Sequence, residues 1–278
     1  MSLTVQAPAR LSWLHRHPLL AFFAWFFTVG QAFALAPHFV HTGLPDQVWI
    51  IGASLVGLLL PNLVITRLVD GPDALKRMVR SFVDWRHGPR WYLLAVLVVP
   101  VVATALAYLF LGVPADVPLS TLAGVIVVQF ALNMFPNNWA EEGTWSGFIQ
   151  ARIQKRHGAA WGAVITAQLF TLQHISLVLG GPLMMGVLLM VFLSVMAIGY
   201  RFLTGYLWNR TGSLLLAGLV HATANTVATG SGFGDGGVLR HLYPGSMLAT
   251  MIHLVAAMLV GLAILLLTRG RLGLRRTT

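Results

Sequence analysis

The chain has 278 residues, of which 57% are hydrophobic and 9% charged, with a mean hydropathy of +0.77. A soluble domain carries about 25% charged residues, so this chain lacks the polar surface to stand in water and reads as an all-α, polytopic membrane protein. The absence of cysteine excludes disulfides, thiolate metal sites and a cysteine nucleophile. The net charge of +10 lies between the apolar runs, which argues against nucleic acid as a partner.

Apolar stretches of spanning length lie near residues 18–36, 47–66, 91–112, 118–150, 159–179, 183–207, 213–229 and 246–268. They predict about eight transmembrane helices in one domain, 18–268, between an N-terminal tail, 1–17, and a basic C-terminal tail, 269–278. Of the 18 Lys and Arg residues, 17 fall in the tails and in alternate loops near 67–90, 151–158 and 201–212. The positive-inside rule puts these segments, and both termini, in the cytoplasm. The expected location is the inner membrane of a bacterial cell. Ala34-Leu35-Ala36 resembles a signal-peptide cleavage site, but Pro37 disfavours cleavage, and removing the first span would upset the charge alternation. The stretch from Arg67 to Arg90, with Phe82, Val83 and Trp85 interleaved, reads as an amphipathic segment on the anionic leaflet. Trp161, Trp208 and Tyr206 read as interfacial belt residues.

An ionisable group inside hydrocarbon costs roughly 2.5–3.5 kcal/mol on insertion scales, so each needs a reason. The chain's two glutamates, Glu141 and Glu142, are adjacent in the fourth span. Asn133 and Asn137 precede Glu141 at steps of four, which predicts one polar helix face. His174 follows Gln173 in the fifth span, and His221 and Asn225 are four apart in the seventh. His253 in the last span reads as a packing histidine.

Glu141 and His174 are equidistant from the charged turn at His157-Gly158. A helical hairpin closed there sets both roughly 22–25 Å beyond the turn, at about 1.5 Å per residue. His221, about 14 Å in from the loop near Gly212, falls in the same half of a core roughly 30 Å thick. The expected site is therefore a cavity between the fourth, fifth and seventh spans, open to the cytoplasmic side.

A buried carboxylate beside an imidazole can act as a general base for water. Adjacent helical residues point about 100° apart, so Glu141 takes the central place on the face of the asparagines and Glu142 supports it. His221 and Asn225 are suited to donate to the oxyanion of a tetrahedral intermediate. The set describes peptide-bond hydrolysis. A second arrangement uses Glu141, His174 and His221 as ligands of a zinc ion with water in the fourth position.

Three ordered motifs carry a resemblance. Glu141-Glu142-Gly143-Thr144-Trp145-Ser146, Phe170 to His174, and His221 to Asn225 resemble the Glu-Glu-x-x-x-Arg, Phe-x-x-x-His and His-x-x-x-Asn motifs of the CAAX protease and bacteriocin-processing family, also called Abi. These are intramembrane endopeptidases. The resemblance covers about 90 residues, from 141 to 229, and the eight-helix plan is similar to the type II CAAX prenyl endopeptidase branch. It implies that Glu141 and His174 activate water, that Glu142 assists, and that His221 and Asn225 stabilise the oxyanion. It also implies a peptide or prenylated protein as substrate, with the bound metal, zinc in particular, left open between a glutamate peptidase and a metalloendopeptidase. The departure is Ser146, which stands where the family has arginine and cannot pair a carboxylate as a guanidinium does. Two other readings use the same residues: a non-hydrolytic binding or bacteriocin-immunity protein, which Ser146 favours, and a small carrier, which the lack of internal repeats disfavours.

Overall fold

A computed structural model of the chain describes residues 9–41, 43–231 and 236–274. The outer parts of the two tails, 1–8 and 275–278, lie outside the described residues. The described residues form helices and loops, with no strand among them. In chain order the helices that matter here are α1 (Pro18–Phe39), α2 (Asp46–Asp70), α3 (Pro72–Ser81), α4 (Pro89–Leu111), α5 (Leu119–His157), α6 (Ala159–Leu172), α7 (Leu183–Thr211), α8 (Leu214–Val227) and α9 (Met247–Leu267). Six of them, all but α3, α6 and α8, are long and apolar enough to cross a membrane. The eight expected spans thus resolve into these six and two shorter apolar helices, α6 and α8, of 14 residues each. The chain is an integral membrane protein, and its outward side chains agree: Leu20, Leu109, Leu188 and Leu266 are all more than half exposed.

Helices in lipid gain little from burying apolar surface, so close packing is set by small residues. A Cβ added at Gly57 of α2 would lie 2.5 Å from the Cα of Gly30 in α1. A Cβ at Gly261 of α9 would collide with the carbonyl of Gly199 in α7. These two crossings bring backbones together and fix the pairs α1–α2 and α7–α9. At about 21 Å, α8 is too short for a core roughly 30 Å thick. It lies inside the bundle, where irregular backbone beyond its end is covered by protein. Ser213 caps it, accepting from Leu216 N at 3.3 Å and donating to the Asp84 carbonyl at 2.8 Å.

Three sequence expectations change. The face drawn through Asn133, Asn137 and Glu141 is not continuous, because α5 breaks at Phe135 (φ −121°, ψ 127°), the residue before Pro136. A residue before proline is pushed out of helical geometry. Wide turns at Asn133–Asn138 and Trp145–Gln150 then bracket the Glu-Glu pair. Next, α6 ends at Leu172, so His174 sits in a turn before the short 3-10 helix Ile175–Val178. Finally, 201–212 is not a loop, because α7 runs on to Thr211 and carries Arg201 inside the bundle.

The basic segments share one end of the molecule. His15 to Leu20 line a cavity with Arg152, Lys155, Arg156 and His157, and Asp70, Arg77, Lys155, Trp208 and Leu274 line a second beside it. There α3 lies on the surface, with Asp73 in its first turn and Arg80 in its last, matching the helix dipole. It buries Met78 and Ser81 and exposes Val79.

Candidate active site

The turn of α5 that carries Trp139–Thr144 is enclosed by α2, α6, α7 and α8. Gly143 is required there, since a Cβ would run into the ring of Phe82. Glu142 is fully buried, and each of its oxygens is occupied. Arg201 donates Nη2 to Oε1 at 2.5 Å and Nη1 to Oε2 at 3.1 Å, a two-point fork. Ser146 donates to Oε2 at 2.6 Å, Tyr200 to Oε1 at 3.1 Å, and His221 Nδ1 lies 3.0 Å from Oε1. A carboxylate only accepts, so the His221 ring carries a proton on Nδ1 and leaves Nε2 for another partner.

Glu141 is 4% exposed and less fully engaged. Its Oε1 accepts from Gln173 Nε2 at 2.9 Å and from Ser54 Oγ at 3.4 Å, while Oε2 lies 3.7 Å from His221 Nδ1. Ser54 also donates to Asn137. From the end of α6 it is thus Gln173 that hydrogen-bonds Glu141, and Gln173 is itself held by Trp145 Nε1 at 2.6 Å. His174 Nδ1 donates to the Phe170 carbonyl at 3.2 Å, which leaves Nε2 as its accepting nitrogen in the neutral ring. Its ring meets Phe170 edge-on at 4.9 Å, and Phe170 lies 6.2 Å from the His221 ring. Asn225 Nδ2 donates to Asn138 Oδ1 at 3.4 Å, and Asn133, beyond the break in α5, donates to Thr226.

The structure therefore gathers Glu141, Glu142 and His221 directly, sets Phe170 between the rings of His174 and His221, and lets Asn225 share a small cavity with His221. Sequence reasoning missed three participants, Arg201, Tyr200 and Ser54. Arg201 is the largest omission. No proline interrupts the chain between Arg201 and Gly212, and Phe202, Leu203 and Leu207 continue the helical apolar pattern past the single Gly205, so the signal for a buried arginine was present. Tyr200 and Ser54 carried no pattern. His253, read as packing, lines a cavity of about 30 Å³ with Phe170, Tyr200, His221 and Asn225.

None of the five expected site residues lines the cavities of about 700 and 450 Å³ at the basic end. Nor do Glu141, His174 and His221 stand as a ligand set: among the described residues no three of His, Asp and Glu converge as a group that could hold a metal ion. The Nδ1 of His221 is committed to Glu142, and Glu141 Oε1 takes two hydrogen bonds from neutral groups. These residues do not fit a zinc ion in this arrangement.

A helical integral membrane protein with paired acids, an imidazole and a buried guanidinium inside its bundle is the class that the fold and site define. Residues 122–227, from α5 to the end of α8, match the family described as "Rce1-like: Type II CAAX prenyl endopeptidase Rce1-like". Over this stretch, which is less than half of the chain, the protein is similar to the CAAX protease and bacteriocin-processing family, and the match supports the resemblance carried by the three motifs. No curated protein and no solved structure matches the chain.

Proposed function

We propose that the protein is an intramembrane endopeptidase of the metal-independent, glutamate type. The observation that carries this reading is the division of labour between the two acids. Glu142 is saturated by five donor contacts, whereas Glu141 keeps one oxygen beside His221 and free of neutral donors. Glu141, with the accepting nitrogen of His174, takes a proton from water as the water oxygen attacks the scissile carbonyl. The carbonyl electron pair moves onto oxygen, toward Nε2 of His221 and the carboxamide of Asn225. Donation by that Nε2 requires a ring proton there, and the carboxylates of Glu141 and Glu142 lie within 3.7 Å of Nδ1. Collapse of the intermediate breaks the C–N bond, and the departing amine takes the proton from Glu141. The products are one carboxylate and one amine.

Glu142, Arg201 and Tyr200 act as positioning residues for His221. The reading of a non-hydrolytic binding protein drew on Ser146, and Arg201 removes that ground by bringing a guanidinium to Glu142 from another helix. The substrate is a peptide or protein chain drawn from the membrane, with both termini of the enzyme in the cytoplasm of a bacterial cell. The test is cleavage of membrane-anchored reporter peptides by purified protein in liposomes. Glu141→Gln and His174→Ala must abolish cleavage while the protein stays folded; cleavage that survives either change overturns the assignment.

A further inference from the structure

Two cavities at the basic end meet at a common wall of Asp70, Arg152 and Lys155. The first, about 700 Å³, lies under α3 and adds Arg77, Trp208 and Asn209; the second, about 450 Å³, adds Arg156, His157 and Leu20. Both are within the size range of ligand pockets. The wall is rigid, because Arg152 is ion-paired to Asp70, donates Nη1 to the Phe148 carbonyl at 3.1 Å and stacks on the Phe148 ring at 3.8 Å.

That pairing neutralises Asp70. Arg77, Lys155 and Arg156 then remain with no carboxylate partner among the described residues. Arg77 and Lys155 line the first cavity and Lys155 and Arg156 the second, both open on one side, and cations gathered without carboxylates call for an anion. The second cavity also runs directly onto apolar surface that faces lipid. Leu20, in its lining, is 58% exposed, and Leu68, near the same end of α2, is 45% exposed. An anion bound here would have hydrocarbon beside it, and basic pockets between helices at the cytoplasmic boundary bind anionic headgroups.

We propose that these joined cavities form a binding site for an anionic phospholipid. Its phosphate rests on Lys155, between Arg77 and Arg156, and its acyl chains run along Leu20 and Leu68. The site is separate from the acid–imidazole cluster, so it stands whether or not the protein hydrolyses peptides.

The test is the melting temperature of the full-length protein in an uncharged detergent. Micelles are doped with phosphatidylglycerol or phosphatidylcholine, and a third arm receives inorganic phosphate alone. Phosphatidylglycerol should raise the midpoint by about 5 °C at saturation, and the other two additions should not. The pair Arg77→Ala/Lys155→Ala should lose more than half of that shift. The pair Arg80→Ala/Arg86→Ala, which removes the same charge from positions outside both cavities, should keep it. Lys155→Gln alone, at an exposed side chain, carries the same expectation as the first pair and guards against its misfolding. Equal losses in the two double variants would reduce the effect to general attraction by the leaflet and overturn the site. A shift with phosphate alone, or none with phosphatidylglycerol, overturns it too.

Discussion

If Arg201 does for Glu142 what an arginine at position 146 does in relatives, the guanidinium should be transferable between the two helices. In the single variant Arg201→Ser, Glu142 keeps three donors, Tyr200, Ser146 and His221, but no permanent cation. Breaking a buried ion pair by removing one member costs about 3–5 kcal/mol. For a chain of this size that is a fall of roughly 6–20 °C in melting temperature. His221 loses its fixed anchor at the same time, and a misplacement of about 1 Å costs roughly 100-fold in rate. The double variant Ser146→Arg/Arg201→Ser returns the charge from one helical turn away, starting at a side chain already 2.6 Å from Glu142 Oε2, into the volume that Arg201 vacates. It should recover most of the lost melting temperature and bring reporter cleavage to within about tenfold of the parent. Thermal unfolding in detergent and peptide cleavage in liposomes are read on the same preparations. Full activity in folded Arg201→Ser would refute the positioning role. So would a double variant that regains stability and stays as inactive as the single one.

The two glutamates should respond differently to amidation. Glu141→Gln lowers cleavage by roughly 10²–10⁴-fold with little change in melting temperature, whereas Glu142→Gln strands Arg201 in the interior and costs about 3 kcal/mol or more in stability. Chelators should leave cleavage unchanged; a loss that added zinc reverses would refute the metal-independent reading. Gly261→Leu drives a side chain into the Gly199 carbonyl and should separate α7 from α9, costing about 1–3 kcal/mol or more, measured by thermal unfolding. The cysteine-free chain is a clean background for topology: in sealed right-side-out vesicles an impermeant maleimide should label Val113→Cys and not Arg156→Cys, and the reverse pattern would invert the orientation.

Composition alone dictated that the solvent is lipid, because 9% charged residues cannot clothe a water-facing surface. The alternation of basic segments foretold that they meet at one end, as the cavities shared by Arg16, Arg77, Arg152 and Lys155 show. The cost of placing Glu141, Glu142, His174 and His221 in apolar spans marked them as a candidate site before any contact was known, since a polar group in hydrocarbon persists only with partners. Which partners they find was decided by the tertiary structure. The break at Phe135 turned Asn133 away from Glu141 toward Thr226, the stop at Leu172 put Gln173 against Glu141, and the uninterrupted run of α7 carried Arg201 to Glu142. Burial cost is a property of one residue and is legible along a chain. Pairing depends on where separate helices cross, and here the crossings are set by glycine contacts such as Gly199–Gly261, between residues far apart in the sequence.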